Sequence, residues 1–215
     1  MKRSPKETPI AKTLCILESA MRQIALFALL LAGISGIASA QIKKDELKTG
    51  NAQSPEAETA VTIAGKQVWV FYHAPSVKGR KMFGSPTALQ PEGSVWRMGA
   101  DYATILHTDG DLVFKGLTLP KGDYALYIAL NKGQWDLIIN KTLMAANGKH
   151  LWGINMDGTT TNNPATEVGR VAMTMSKPTA PTETLKIDLT SSGGAAGTLG
   201  VKFENVTASV PFTVK

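Results

Sequence analysis

From about residue 59 onward, apolar residues recur with a period close to two, and this pattern constrains the fold more than any other feature of the chain. Val61 and Ile63 alternate with Thr62, and an aromatic and β-branched run, VWVFY, covers residues 68–72. Further runs cover residues 103–107, 111–114, 117–119, 124–130, 135–139, 168–175, 184–190, 198–203 and 206–214. A period of two places alternate side chains on opposite faces of a strand, so the pattern predicts β structure.

Turn residues separate neighbouring runs and predict hairpins. Ala64-Gly65-Lys66 separates the first two runs, Thr108-Asp109-Gly110 separates residues 103–107 from 111–114, and Asn131-Lys132-Gly133 separates 124–130 from 135–139. Such short Gly- and Asn-containing segments between alternating runs are typical of tight β turns. We therefore expect each of these three pairs of runs to form a hairpin.

Two local features qualify this pattern. Residues 141–147 (KTLMAAN), closed by Gly148, form the one candidate helix. Pro211 lies in the last run and predicts an edge position or a bulge, since proline has no backbone N–H to donate. Regular short strands joined by turns predict a single all-β domain, an antiparallel β-sandwich or barrel-like fold with at most one or two short helices, over residues 59–215.

The first 58 residues differ from this domain. Arg22 precedes an apolar run from Ile24 to Leu31, and Ala38-Ser39-Ala40 matches a signal-peptidase site. The run is short for a membrane span and is followed by Gly33 and Gly36, so residues 1–40 are interpreted as a signal peptide, with Met21 as an alternative start. Residues 41–58 contain few large apolar groups, so we expect a flexible lead-in.

Cleavage near Ala40 predicts a periplasmic or secreted protein whose membrane contact is limited to the signal peptide. The only cysteine, Cys15, precedes the cleavage site, so the mature chain has no disulfide.

The formal net charge is +6, and half of it falls within residues 1–40. The remaining excess is small and spread out, which argues against a nucleic-acid partner.

Residues 72–104 interrupt the strand pattern with the longest polar stretch of the chain, and long loops on β-sandwiches often carry function. The ligand-binding candidates in it are Tyr72, His73, Lys78, Arg80, Trp96, Arg97, Asp101 and Thr104. Arg97 has two interpretations: a buried brace paired with Asp101, or the centre of an anion-binding pocket, since a guanidinium suits carboxylates and phosphates. Trp96 is expected to be a core anchor.

No catalytic signature is present. Sequences typical of a zinc protease helix, a nucleophile elbow or a phosphate-binding loop are all absent, and no cofactor is expected. The histidines His73 and His107, with Asp101 as a third ligand, form the one candidate metal set, because two-histidine, one-carboxylate sites occur in proteins.

Several segments together resemble domain of unknown function 2911, a family of exported bacterial proteins. The matching segments are Pro75–Arg80, Phe83-Gly84, Val95–Asp101 with Ala103-Thr104, Leu119–Tyr124, Trp135, Asn140 and Trp152-Gly153. The resemblance covers about residues 59–213 and implies export and a β-rich domain, without an activity. Two departures occur: Asp101 replaces a usual Asn, which adds a negative charge beside Arg97, and Phe203-Glu204 replaces a Trp-Glu pair, a change expected to affect packing.

Three functions remain open at this point. The first is a non-catalytic binding or envelope-associated domain for a small anionic ligand, a glycan or an envelope component. The second is a metal-assisted hydrolase that uses His73, His107 and Asp101. The third is a structural partner in an envelope assembly.

Overall fold

A computed structural model describes Leu47 and residues 52–215. The predicted signal peptide lies outside these residues. Within the described part, the strands are β1 (Glu56–Ile63), β2 (Lys66–His73), β3 (Val95–Trp96), β4 (Thr104–Thr108), β5 (Leu112–Phe114), β6 (Leu117–Leu119), β7 (Gly122–Asn131), β8 (Gln134–Asn140), β9 (Glu167–Ala172), β10 (Thr174–Ser176), β11 (Thr182–Gly193), β12 (Ala196–Glu204) and β13 (Val206–Val214). A single 3₁₀ turn, Pro164–Thr166, precedes β9.

The strands form two antiparallel sheets that pack face to face. The first sheet has the order β1-β2-β4-β7-β8-β9, with β3 beside β7, and the second has the order β11-β12-β13-β5-β6, with β10 beside β13. A core of alternate side chains fills the space between them, with Val70, Leu106 and Leu126 from the first sheet and Val201 and Val210 from the second. The prediction of an all-β sandwich is confirmed, and the described strands do not close into a barrel.

Two of the three predicted hairpins form. β1 and β2 pair through a two-residue turn in which Ala64 and Gly65 both have positive φ, and β7 pairs with β8 around Lys132-Gly133. Positive φ at both positions matches the right-handed twist of the flanking strands.

The third hairpin, between β4 and β5, is wrong. β4 pairs with β2 and β7 in the first sheet, whereas β5 pairs with β13 and β6 in the second. The turn instead leads the chain from one sheet to the other. Thr108 Oγ1 donates to the Gly110 carbonyl at 2.6 Å, and the Lys215 N–H bonds the Asp111 carbonyl at 2.9 Å, so the C-terminal strand takes the place of β4.

The predicted helix at residues 141–147 is also wrong. The Asn140 side chain accepts a hydrogen bond from the Thr142 N–H at 2.8 Å, and the Ala145 N–H bonds the Lys149 carbonyl. These local bonds use the backbone groups that a helix would need, which is how Asn competes with helix formation.

Pro211 lies in an interior strand without a bulge, contrary to the prediction. β10 pairs with residues 207–209 of β13 and β5 pairs with residues 213–214 on the same side. Pro211 lies in the gap between them, where no strand requires a proline N–H.

A second apolar layer covers the outer face of the first sheet. We call it the outer layer; it contains Leu47, Trp69, Phe71, Ala103, Ile105, Ala125, Tyr127, Ala129 and Ile138. Because alternate residues of β2, β4 and β7 point into this layer, these strands are buried on both faces. Within the predicted lead-in, Leu47 is buried in the outer layer and β1 already begins at Glu56.

Candidate functional site

Two separate segments meet at the end of the outer layer. The Ala103 N–H bonds the Leu151 carbonyl at 2.9 Å, and the Gly153 N–H bonds the Asp101 carbonyl at 3.0 Å. Tyr102 pairs with Trp152 as an isolated β bridge, and their rings lie edge to face at 4.8 Å. The segment after β3 is therefore held against a loop about fifty positions away in sequence.

Gly153 lies directly under the side chain of Arg97. A Cβ at this position would overlap Arg97 Cδ and would lie 3.0 Å from Arg97 Cβ. Only glycine lets the arginine lie across the loop backbone at this distance. Gly153 thus fixes the position of Arg97.

The guanidinium of Arg97 has no hydrogen-bond partner among the described residues. Its Nε and Nη1 are buried without a hydrogen bond from any described residue, and Nη2 is unbonded but not fully buried. Burial lowers the pKa of Arg97, opposed by the charge of Asp101. Buried polar groups are nearly always paired, so an unpaired guanidinium points to a bound molecule or a functional role.

Arg97 lines a cleft of about 550 Å³, which we call the Arg97 cleft. Apolar side chains come from Leu89, Pro91, Val95, Trp96 and Ile154, and polar side chains come from Gln90, Ser94, Thr159 and Thr160. The volume falls in the range of small-molecule sites, and a mostly apolar wall with a few polar groups is typical of such sites.

The carboxylate of Asp101 holds a neighbouring segment through a hydrogen bond, and its negative charge acts on Arg97. Its carboxylate accepts a hydrogen bond from the Ser54 N–H at 2.8 Å, and no ion pair joins it to Arg97 among the described residues. Asp101 and Met98 both have positive φ, near 52° and 56°. Non-glycine residues in this conformation are strained and concentrate at functional sites.

A stack of three rings lies beside Asp101. Tyr102 lies between His73 and His150, with ring centroids at 5.5 Å and 5.1 Å. Neither buried nitrogen of His73 has a hydrogen-bond partner among the described residues. In His150, Nε2 lies 3.0 Å from the Ala103 carbonyl, the Leu47 backbone interacts with the ring, and Nδ1 makes no hydrogen bond of standard geometry with a described residue. Burial lowers the pKa of His73, and burial lowers the pKa of His150 to about 4. These histidines are therefore neutral near pH 7.

The other candidates from the sequence make contacts within the fold. Trp96 is buried, donates to the Gly99 carbonyl and stacks on Phe203, as expected of a core anchor. Tyr72 accepts from the Ile187 N–H across the sandwich, and Thr104 donates to the Met98 carbonyl.

Lys78 and Arg80 occupy an exposed turn beside β11. Arg80 donates to the carbonyls of Val77 and Ser76, and the Lys78 N–H bonds Glu183. These bonds hold the turn itself, through the guanidinium of Arg80 and the backbone of Lys78, and neither residue lines the Arg97 cleft.

The candidate metal ligands do not meet. His107 lies opposite Trp69 on β2, and His73 lies four residues farther along that strand, about 13 Å away at strand spacing. His107 instead contacts Asp123 Oδ1 at 2.7 Å and Asp109 Oδ1 at 3.2 Å, and the Asp123 hydrogen bond raises its pKa. The described residues contain no group of three side chains placed to hold a metal ion.

Sequence reasoning missed several parts of the site. Tyr102, Tyr127, His150 and Gly153 were not among the candidates, yet each lies at or beside the Arg97 guanidinium or the ring stack. Trp152-Gly153 was already visible as a motif, and its meeting with Arg97 depends on a contact between distant segments.

One comparison with known proteins gave a match. The family described as "Protein of unknown function (DUF2911)" matches residues 54–212. No curated protein and no solved structure matched the chain. A helix long and apolar enough to cross a membrane does not occur in the described residues.

Proposed function

Since the chain belongs to the DUF2911 family, for which no activity is known, we propose a function from the site itself: a binding protein whose Arg97 cleft holds the anionic group of a small molecule. The unpaired guanidinium of Arg97 carries this proposal. A carboxylate or phosphate would supply the hydrogen bonds that no described residue gives to this guanidinium.

The surroundings of Arg97 favour binding over chemistry. The nearest carboxylate, Asp101, is engaged by the Ser54 N–H, and the histidines of the ring stack are buried and neutral. The Thr160 hydroxyl accepts from the Asn162 N–H and keeps its hydrogen for a polar ligand in the cleft, whereas the hydroxyls of Ser94 and Thr159 already donate to the Pro91 carbonyl and to Asp157.

Export is part of the proposal. The leader sequence with its Ala38-Ser39-Ala40 site supports delivery to the periplasm or the medium. Mass spectrometry of the protein purified from its native host should give a mature chain that begins at Gln41. An intact precursor in the cytoplasm would contradict export without affecting the binding proposal.

Thermal unfolding with a panel of anions tests the binding proposal. The panel contains acetate, octanoate, glucuronate, inorganic phosphate and glycerol phosphate at low ionic strength. Ligand at a hundred times its Kd stabilises the folded state by about 2.7 kcal/mol, which raises Tm by several degrees. We expect such a rise for the wild type and for Arg80→Gln, and a loss of the rise in Arg97→Gln.

Arg80→Gln is the matched control because it removes an exposed arginine that bonds its own turn. If no anion in the panel raises Tm, or if Arg97→Gln responds as strongly as the wild type, the Arg97 cleft is not an anion site.

A further inference from the structure

A second pocket lies on the other side of Gln90, which lines both cavities. Its volume is about 270 Å³, and its apolar wall contains Phe83, Leu130, Trp135, Met175 and Val206. The rings of Phe83 and Trp135 lie 4.9 Å apart at an angle of 64°. We call this the aromatic pocket; its size suits a ligand of roughly ten non-hydrogen atoms or fewer.

Glu204 places a carboxylate in the aromatic pocket. Its side chain is only 10% exposed, and its nearest charged partner is Lys81, whose Nζ lies 3.7 Å from Oε1. That distance is longer than a charge-assisted hydrogen bond, which is near 2.8 Å. No described residue donates a hydrogen bond to this carboxylate, so most of its bonding capacity is free.

The backbone at Glu204 is strained as well. Glu204 is the first of two residues in the turn between β12 and β13, and its φ is 52°. Glycine is preferred where a hairpin turn requires positive φ, because a Cβ is disfavoured there. A largely buried acidic side chain at such a position costs stability twice, through strain and through desolvation. Among the described residues, only the Lys81 ammonium, 3.7 Å from Glu204 Oε1, offsets part of the desolvation.

The charges around the pocket favour a cation. Glu92 and Glu204 line it together with Lys81 as the one basic residue among the lining side chains. The side chain of Lys81 is 55% exposed, so it can move into solvent when another cation enters. A carboxylate beside aromatic rings is the usual arrangement for an ammonium group with an apolar body.

We propose that the aromatic pocket binds a small organic ammonium ion, with Glu204 as its counterion and the Phe83 and Trp135 rings against its apolar part. Lys81 occupies the place of this cation in the free protein. The site is independent of the Arg97 cleft, so either can exist without the other.

Nuclear magnetic resonance titration tests this proposal. The indole N–H signal of Trp135, assigned with Trp135→Phe, is followed during addition of phenethylammonium, and separately of 2-phenylethanol, which has the same shape without the charge. We expect the Trp135 signal to move with the ammonium probe and the alcohol to bind about tenfold more weakly, since one charge-assisted bond is worth roughly that factor. Equal affinity for the two probes would overturn the proposal.

Substitutions distinguish a specific role of Glu204 from a general effect of the negative charge of the protein. Glu204→Gln should weaken the ammonium probe about tenfold, while Glu183→Gln, which removes an exposed glutamate elsewhere, should leave it unchanged. Lys81→Ala should bind the probe about threefold more tightly, because the internal competitor is gone. If Glu204→Gln does not fold, the Lys81→Ala result decides: no gain in affinity contradicts the proposal.

Two further measurements test the source of the ammonium group and the independence of the aromatic pocket from the Arg97 cleft. Nα-acetyl-lysine amide tests whether the ammonium group comes from a lysine side chain, and tighter binding of this probe than of phenethylammonium would assign a peptide source. Arg97→Gln should bind ammonium probes like the wild type. A loss of binding in that variant would mean that the aromatic pocket is not a separate site.

Discussion

The two sheets of this sandwich differ in what lies on their outer faces. In the first sheet, β2, β4 and β7 are buried on both sides, and the outer layer contains large side chains such as Trp69 and Tyr127. In the second sheet, buried and exposed residues alternate along β11, and its outer face is open to solvent. Antiparallel sheets commonly have one solvated face, so the second sheet is ordinary and the first is not.

This difference between the two outer faces coincides with the position of the unpaired buried polar groups. Irregular segments of the described chain form part of the cover of the first sheet, and irregular backbone brings its own polar side chains into buried positions. All five buried nitrogens without a partner in the described part belong to His73, Arg97 and His150 at the edge of this cover. The second sheet has no such group within the described residues. In the described part, the unpaired buried nitrogens therefore lie beside the doubly covered strands.

Removing a large side chain from the outer layer should have the greatest effect. Ile105→Ala is expected to cost about 2–5 kcal/mol, as in a protein core, because Ile105 is fully buried between the sheet and its cover. Thr190→Ala, on the exposed face of the second sheet, should change stability by less than about 0.5 kcal/mol. Urea unfolding measures both. Similar small losses at the two positions would show that the outer layer is not packed.

Acid should destabilise the cover through His150. Its pKa falls from 6.5 unfolded to about 4 folded, because burial disfavours the charged ring. The associated stability is present above pH 6.5 and is lost as the pH falls toward 4, by about 3 kcal/mol in total. His150→Gln should remove this part of the pH dependence, as measured by urea unfolding at successive pH values.

His107 is a control for His150 because its pKa is shifted in the opposite direction. Its folded pKa is raised by Asp123, so its contribution is present below pH 6.5 and is lost as the pH rises through the folded pKa. His107→Gln should therefore abolish a gain in stability as the pH falls toward 6.5, and it should leave the slope of the acid loss below pH 6.5 unchanged. If His150→Gln has the same pH profile as the wild type, His150 is not held neutral by the cover.

Replacing the unpaired arginine should stabilise the free protein. Arg97→Met removes a buried charge without partners while keeping the apolar stem, and we expect a gain of about 1–3 kcal/mol in chemical unfolding. Arg80→Met is the control and should lose up to about 1 kcal/mol with its two backbone hydrogen bonds. A large loss of stability in Arg97→Met would identify Arg97 as a structural brace.

The smallest effect is expected for Asp101→Asn. Asparagine adopts positive φ readily, and its amide oxygen can still accept from the Ser54 N–H, so stability should change by less than about 1 kcal/mol. Removal of the negative charge near Arg97 should tighten anion binding about threefold, as measured by titration calorimetry. Weaker anion binding would mean that the carboxylate itself takes part in the site.

Much of the fold could be predicted from the sequence because strand alternation and turn chemistry are local. The hairpins around Ala64-Gly65 and Lys132-Gly133 followed from residues within a few positions of each other. The β4–β5 turn has similar local chemistry, but the C-terminal strand competes for β5, and that competition involves residues a hundred positions away. The helix at residues 141–147 failed because the Asn140 side chain bonds the backbone there.

The candidate site was predicted only in part. Arg97, Asp101 and His73 are close in space, as a shared polar stretch suggested, but Lys78 and Arg80 from the same stretch brace a different turn. The continuous runs VWVFY and YALYIAL are a sign of burial on both faces that could have indicated the outer layer.

The sequence by itself determined the β class, the approximate strand positions and the family, because these depend on periodicity and on residues that are neighbours in the chain. Only the tertiary structure decided that Gly153 leaves room for Arg97 and that Glu204 lines a pocket with two aromatic rings. It also decided that, among the described residues, Arg97 has no hydrogen-bond partner and Glu204 has only Lys81, at 3.7 Å. The physical reason is that pairing of a buried charge depends on which distant segments pack around it, and no local pattern contains that information.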